Sequence, residues 1–406
     1  MTNLASTHEP RRISPGLMLA LGYVAMAAAV ATDLYLPAFP DIASDLGARP
    51  AVVQLTLTAF LGGAAVGQLF SGSLSDALGR KRVLVIAFTV FVIAAFLAAA
   101  SPSIEVLIAL RAVQGFAGAS GAVLARAIIA DIATPRETAR AFGTLFAMMA
   151  LGPAVANPLG AWLTELGGWR LALLGLGVIT AGMLAVALWV IPESRPPAQR
   201  HPFKVRVLLR NLRSLARKLV FMAYVIAFGA GYAAMMVYIA SSSFIVQGLF
   251  ETTPVGYSLT FVVGSLSFML GAWGSGRLGN RFTGAQLLRV GQLLQVGAGA
   301  VLLVLALVGL LAGAPGLWVW VPLIAVLNAG SGMVMSTASA LAVAQAVGVV
   351  GAGSALVGFS QFVLGAMASP LGGIFGTGTA VPAAAAILTC ALLSLVSGLV
   401  AARAAR

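Results

Sequence analysis

The sequence predicts an all-α, polytopic membrane protein of twelve transmembrane helices, arranged as two six-helix pseudo-symmetric halves. The first observation behind this is composition: 60% of residues are hydrophobic and only 9% are charged, with a mean hydropathy of +1.02. A soluble domain carries roughly a quarter of its residues charged, so the solvent this chain suits is lipid. The second is that the apolar runs are continuous rather than alternating, which excludes a β-barrel and leaves helices that pair their own backbone groups. The third is that the cations partition, as described below.

Twelve runs approach or exceed the roughly 20 residues that a 30 Å hydrocarbon core requires. The first, 17–39, follows Arg11 and Arg12 and ends in a Pro-rich segment. The second, 52–73, runs into a Gly-rich basic loop, and the third, 83–100, starts just past Arg80, Lys81 and Arg82. The fourth, 104–130, contains Arg111 and Arg126, and the fifth, 141–163, contains Pro153 and Pro158. The sixth, 171–191, is stopped by Pro196, Pro197 and Pro202. The second set is 219–246, 256–274, 285–311, 317–346, 352–375 and 380–402. An N-terminal cleavable signal is the rival reading of the first run, but cleavage would leave five spans facing six.

With both chain ends in the cytoplasm, only Arg49 and Arg170 of the 24 Lys and Arg face outward; Arg111 and Arg126 lie within a span, and all the others lie on the cytoplasmic side. That is the positive-inside pattern. The tryptophans (Trp162, Trp169, Trp189, Trp273, Trp318 and Trp320) fall near span ends, as an aromatic belt would. The net charge of +13 is then a topology signal, and nucleic-acid binding is not needed to explain it. Cys390, the single cysteine, sits in an apolar span and reads as a small buried hydrophobe.

The longest polar stretch divides the chain into an N-terminal bundle (1–194), a basic linker (195–218) and a C-terminal bundle (219–406). In the linker, Arg206, Arg210, Arg213 and Arg217 recur opposite Val207, Leu208, Leu212 and Leu215. An amphipathic helix on the anionic inner leaflet and a solvated basic tether both fit that pattern. The halves echo each other: Ala156-Asn157-Pro158-Leu159-Gly160-Ala161 in span five matches Ala368-Ser369-Pro370-Leu371-Gly372-Gly373 in span eleven. Two such halves about a midplane cavity are a common transporter plan.

The loop after span two reads Gly72-Ser73-Leu74-Ser75-Asp76-Ala77-Leu78-Gly79-Arg80-Lys81-Arg82. Gly72 would let helices approach closely and Gly79 would permit a tight turn. Asp76 would pair with nearby cations as a conformational latch, in which Arg80, Arg126 and Asp131 are the expected partners. Around Gly276, Arg277, Gly279 and Arg281 the second half keeps the cations and lacks the acid, so the latch is expected to be asymmetric. The loop resembles the G-x-L-x-D-x-x-G-R-K/R-x signature of the major facilitator superfamily. Arg111-Ala112-Val113-Gln114-Gly115 resembles that superfamily's span-four pattern, associated with proton coupling. Gly152-Pro153, followed by Asn157, Pro158 and Gly160, resembles its span-five antiporter motif, with Asn157 where many members have a small residue. Asp33-Leu34-Tyr35-Leu36-Pro37-Ala38-Phe39-Pro40, the segment 52–58 and the segment 238–247 resemble the bicyclomycin/chloramphenicol-resistance branch of drug exporters. That resemblance implies a twelve-helix transporter in the bacterial cytoplasmic membrane that exports small amphipathic toxic compounds or antibiotics against a proton flux.

A count of intramembrane acids narrows the mechanism independently. Of the 11 Asp and Glu, only Asp33 falls inside a span away from its ends, Glu105 lying at the outer edge of the fourth, and both histidines lie outside the membrane. Burial disfavours a carboxylate and a nearby cation favours it, so Asp33 with Arg111 as its partner is the expected proton-coupling pair. Tyr35, Gln54, Gln114, Tyr232, Tyr238, Asn328 and Gln361 are the expected polar lining of the substrate cavity, though any of them would serve equally to bond a neighbouring helix. No cofactor or metal is expected. An intramembrane enzyme would need paired carboxylates or H-E-x-x-H, and an ATP-driven pump G-x-x-x-x-G-K-[ST]; the sequence has neither. The remaining partners are a small-molecule substrate, protons and the bilayer, with the chain acting as a monomer. Carriage of an endogenous metabolite, by export or uptake, is the alternative reading.

Overall fold

With no water to bond them, backbone groups in a membrane pair internally, and every regular element among the described residues is helical. The structure is a computed structural model that describes residues 14–132, 135–200, 205–346, 350–374, 376 and 378–404. In order the α-helices are α1 (Pro15–Ala25), α2 (Ala27–Asp33), α3 (Phe39–Asp45), α4 (Pro50–Leu78), α5 (Arg80–Ala99), α6 (Ile104–Ile132), α7 (Pro135–Trp189), α8 (Val205–Ala216), α9 (Leu219–Ser243), α10 (Pro254–Leu278), α11 (Gly284–Leu307), α12 (Gly313–Ala344), α13 (Val350–Ala368) and α14 (Val381–Ala404). Among the described residues, 10 helices are long and apolar enough to cross a membrane, or up to 11 if a bent pair near the start counts as one span.

That bent pair is the first departure from the expected pattern. Instead of one run over 17–39, the chain passes through α1 and α2, then a 3-10 turn at Leu36–Ala38, then α3, with a 42° bend between Pro15–Ala25 and Ala27–Asp45. The bend falls at Met26, and the turn at Leu36–Ala38 falls where Pro37 and Pro40 lack the N–H groups a continuous helix needs. The second departure is α7, 55 residues long. At 1.5 Å per residue it would measure roughly 80 Å, far more than the core's roughly 30 Å. It is interrupted at Gly167 (φ −159°) and Gly168 (φ 71°), and the positive φ at Gly168 suits a residue without a β-carbon. The expected fifth and sixth runs, 141–163 and 171–191, fall on either side of that break.

Helix contacts recur in matching pairs. α4 packs on α6 as α10 packs on α12; α5 packs on α7 as α11 packs on α14; α5 packs on α6 as α11 packs on α12. Contacts between the first and second sets run through α4 with α13 and α7 with α10. A two-fold operation that carried α4 onto α10 and α7 onto α13 would exchange those two contacts. The α4–α6 seam is tight because glycine lets backbones meet. A β-carbon on Gly63, Gly67 or Gly115 would run into the main chain of Ala112, Phe116 or Phe60, respectively. Gly72, expected to serve such a close approach, does not: its nearest neighbour is a Val123 methyl at 3.7 Å from a β-carbon placed there.

Part of the basic linker forms a helix, α8, with Leu215 buried and Arg210 and Arg213 exposed; the side chains of Arg206, Val207 and Leu208 lie outside what is described. α8 packs on α9 and α13 and so marks one end of the bundle, the linker end. Trp162, Trp189, Trp273 and Trp318 are exposed, as a belt requires, but Trp169 and Trp320 are buried. Trp169 donates to Asp45, and Trp320 packs its ring against Tyr238 and Phe250. Cys390 is buried, as its apolar span predicted.

Candidate functional site

Asp33 is the last residue of α2, at the break in the first span. It is 6% exposed, and Thr32 Oγ1 donates to its Oδ1 at 3.2 Å. Two features of the Pro-containing part of α7 hold this break. Asn157 Nδ2 donates to the Asp33 carbonyl at 3.2 Å, and Gly160 lies so close to the Leu34 carbonyl that a β-carbon there would collide with it. Pro153 and Pro158 lie inside α7, and Gly152 makes ordinary contact with Met26 and Ala29. The antiporter-like segment is therefore the cradle of the buried acid.

From the second set of helices, Tyr232, Tyr238 and Tyr257 stand within electrostatic reach of the Asp33 carboxyl. The Tyr232 ring meets Phe362 edge-on at 6.4 Å. The Tyr238 hydroxyl and the Asn328 amide converge over Gly264. Tyr257 shares a hydrogen bond of 3.1 Å with Ser242, and Asn157 Oδ1 is buried without a hydrogen-bond partner. Of the residues expected to line the cavity, Tyr232 and Tyr238 stand on the side of the acid, and Asn328 meets Tyr238 over Gly264. Tyr257, which sequence reasoning passed over, joins them, and Asn157, read as a departure from a motif, bonds the Asp33 carbonyl.

The expected Asp33–Arg111 ion pair does not form in this conformation. Arg111 is fully buried. Its guanidinium donates to the Ala31 carbonyl at 2.8 Å and to Gln114 Oε1 at 2.6 Å. It lies 4.1 Å over the Tyr35 ring and 4.5 Å over the Phe60 ring, contacts that suit a desolvated guanidinium. Tyr35, itself fully buried, shares a hydrogen bond of 2.9 Å with Thr56. Tyr35 and Gln114, expected in the cavity wall, instead encase Arg111. Arg111 Nε and Gln114 Nε2 are buried without a partner.

At the linker end, Gly79 adopts φ 100° and makes the tight α4–α5 turn its position predicted. Arg80, 7% exposed at its side chain, pairs with Asp76 at 2.8 Å and with Asp131 at 2.9 Å. Its other amino group donates to Ser75 Oγ at 2.6 Å and to the Gly72 carbonyl at 3.4 Å. Arg126, assigned to this cluster from its sequence, forms no salt bridge among the described residues. It is five positions from Asp131, so the two point about 140° apart around α6. Arg195 takes the expected place, pairing with Asp76 at 2.6 Å. Ser194 donates to Asp131 at 2.9 Å, and Glu193 accepts the backbone N–H of both Arg80 and Arg195 at 2.9 Å. The segment after α7 is the part of this ion-pair cluster that sequence reasoning missed, because its residues lie more than a hundred positions from the motif.

At the distal end, opposite the linker, the two sets of helices touch through polar side chains. Gln54 Nε2 donates to the Ala240 carbonyl at 3.1 Å and lies 3.5 Å from Ser241 Oγ. Thr58 and Ser369 share a bond of 2.7 Å, Gln247 donates to the Pro37 carbonyl at 2.9 Å, and Glu165 accepts the Val255 N–H at 3.3 Å. Gln54, expected in the cavity, is fully buried in this seam.

A search against protein families matches residues 19–370 to the Major Facilitator Superfamily. Among curated proteins the chain is 32% identical over 379 residues to YdgK of Bacillus subtilis, an uncharacterized MFS-type transporter, covering 93% of each. It is 26% identical to the bicyclomycin resistance protein homolog of Haemophilus influenzae, covering 94% of each. It is 33% identical over 281 residues to the chloramphenicol resistance protein of Pseudomonas aeruginosa, covering 68% of this chain and 65% of that protein. Among solved structures, the partially occluded inward-open xylose transporter XylE of E. coli superposes with a TM-score of 0.72 at 13% identity, covering 95% of this chain and 96% of that one.

Proposed function

This chain belongs to the Major Facilitator Superfamily, and on that premise we propose that it is a proton-coupled exporter of small amphipathic toxic compounds or antibiotics, working by alternating access. It is a multi-pass protein of the bacterial inner membrane. In this reading the spans number twelve, because the broken α1–α3 segment is one crossing and α7 is two. The spans form a six-helix bundle on each side of the linker, both chain ends are cytoplasmic, and the linker end faces the cytoplasm.

The observation that carries the reading is Asp33. It is the acid set deepest between span ends in the sequence, it is the last residue of α2 where the first span breaks, it is buried, and among the described residues no cation pairs with it. Ion and substrate sites in secondary transporters favour such discontinuous helices, and an unpaired buried carboxylate is costly unless its charge changes. Asp33 takes up a proton when the site opens outward and releases it when the site opens inward with cargo bound. Tyr232, Tyr238, Tyr257, Asn328 and Gln361 orient the cargo, and Arg111 fixes the break through the Ala31 carbonyl. Relatives named for bicyclomycin and chloramphenicol resistance support a drug as cargo.

The test uses everted membrane vesicles energised by respiration, with a pH-sensitive dye following the gradient as candidate drugs are added. Dissipation by a compound in the wild type, and none in Asp33→Asn, is the expected result. Uphill transport that survives Asp33→Asn would remove Asp33 from the coupling step. No response across a broad panel would replace drug export with carriage of a dedicated metabolite.

A further inference from the structure

The α10–α11 turn occupies the place in the second bundle that the α4–α5 turn has in the first, and it lacks an acid. In one register Pro50 matches Pro254, Gly67 matches Gly271, Ser71 matches Ser275 and Gly72 matches Gly276. The packing keeps that register. A β-carbon on Gly67 would strike the Phe116 carbonyl, and one on Gly271 the Ala329 carbonyl; Ser71 bonds Ser120 at 2.8 Å, and Ser275 bonds Ser336 at 2.7 Å. Asn280 then stands opposite Asp76, the carboxylate that pairs with Arg80 and Arg195. The chain has no Asp or Glu after Glu251. Arg277, Arg281 and Arg289 are exposed and form no salt bridge among the described residues.

Two of these cations crown apolar stripes. On α10 the exposed residues Leu259, Val263, Leu266, Leu270 and Trp273 recur at helical spacing and lead to Arg277. On α11 the exposed residues Leu293, Val301 and Val304 continue the face that Arg289 begins. Because the chain reverses at the turn, both guanidiniums stand at the linker-end edge of a lipid-facing stripe, the depth at which headgroups begin. Arg277 lies 4.4 Å over the Trp273 ring, a contact that holds it at that depth.

We propose that the α10–α11 turn is a binding site for the phosphate of an anionic phospholipid of the phosphatidylglycerol type, held by Arg277 and Arg289. The acyl chains lie along the stripe from Leu259 to Trp273. The lipid supplies the counter-charge that Asp76 supplies in the first bundle. A guanidinium fork matches two phosphate oxygens. A zwitterionic headgroup carries its own ammonium and offers these cations no net charge, so the site selects an anionic lipid.

The site rests on the membrane placement given above and on neither the cargo nor Asp33, so failure of the export reading leaves it standing. The full chain, purified in detergent, is titrated with phosphatidylglycerol or with phosphatidylcholine of the same acyl chains, and native mass spectrometry counts the lipid retained. Wild-type protein is expected to hold one phosphatidylglycerol roughly tenfold more tightly than phosphatidylcholine. Arg277→Gln with Arg289→Gln is expected to lose that preference, and Lys81→Gln with Arg82→Gln, in the first bundle's turn, to keep it. Equal loss in both double variants would mean a diffuse attraction of the cytoplasmic face with no site, and a preference that survives Arg277→Gln with Arg289→Gln would overturn the assignment. A second readout needs no cation removed: brominated phosphatidylglycerol is expected to quench tryptophan fluorescence in the wild type, and less in Trp273→Phe. Equal quenching in the two would place the lipid elsewhere. Inorganic phosphate that displaces the bound phosphatidylglycerol at millimolar concentration would make this a site for a free anion instead.

Discussion

Removing a carboxylate from the linker-end cluster leaves Arg80 in different company depending on which one goes. Asp131 is 22% exposed and pairs with Arg80, which is 7% exposed. Stripping a partner from a buried cation typically costs 3–5 kcal/mol, and here Asp76 remains beside the guanidinium. Asp131→Asn is therefore expected to cost about 2–3 kcal/mol, seen as a lowered thermal unfolding midpoint of the purified protein. Asp76 is 42% exposed, where a pair contributes at most about 1 kcal/mol. Asp76→Asn is expected to leave that midpoint nearly unchanged while slowing turnover in vesicles, and a stability loss equal to that of Asp131→Asn would make Asp76 a structural residue instead. The motif around Asp76 was legible because its residues are contiguous. Arg195 and Glu193 were not, since charge on a cytoplasmic loop says nothing about which loop it reaches. Arg111 was legible as an intramembrane cation, but its actual partners are a carbonyl, an amide and two rings, which carry no charge signal.

Close helix crossings set the position of the acid, and they are the features most sensitive to a single methyl group. Gly115 meets the Phe60 main chain, and Gly160 meets the Leu34 carbonyl one residue past Asp33. Backbone atoms cannot step aside as a flexible side chain can, so overpacking of this kind costs about 1–3 kcal/mol or more. Gly115→Val is expected to lower the unfolding midpoint, and Gly160→Ala to impair transport even where folding survives, because it displaces the break that carries Asp33. Gly72→Ala is expected to be neutral in both assays, since only a methyl group lies near it. A Gly72→Ala variant as defective as Gly115→Val would contradict the geometry. Apolar runs located the membrane helices well, because hydropathy reports a segment's solvent. The same signal is blind to continuity, which is why the 3-10 turn at Leu36–Ala38 and the unbroken stretch from Pro135 to Gly167 escaped it.

The distribution of contacts over the molecule defines which end is shut. Among the described residues, the side-chain hydrogen bonds between the two bundles lie at the distal end, and the ion pairs of the Asp76 cluster stay within the first bundle, so the far side is held shut without help from that cluster. Under the proposed alternating access, the cluster is expected to favour the opposite state, in which the linker end closes. Rocking about a central site requires the two ends to move in opposite senses, and that is measurable. In a Cys390→Ala background, spin labels at Arg82 and Arg281 report the linker end, and labels at Arg49 and Glu251 report the distal end; all four residues are exposed. Wild-type protein is expected to show a long linker-end distance with a short distal one. Adding Gly373→Val, which presses on Gln54 and wedges the seam, should lengthen the distal distance and shorten the linker-end distance together. A tenfold change in the ratio of the two populations corresponds to about 1.4 kcal/mol, within reach of one disrupted seam contact. Adding Asp76→Asn to the wedged protein should return part of the population toward the original state, because the cluster that favours linker-end closure is weakened. Distances that lengthen at both ends at once would mean that the bundles separate rather than rock, and alternating access about Asp33 would have to be abandoned.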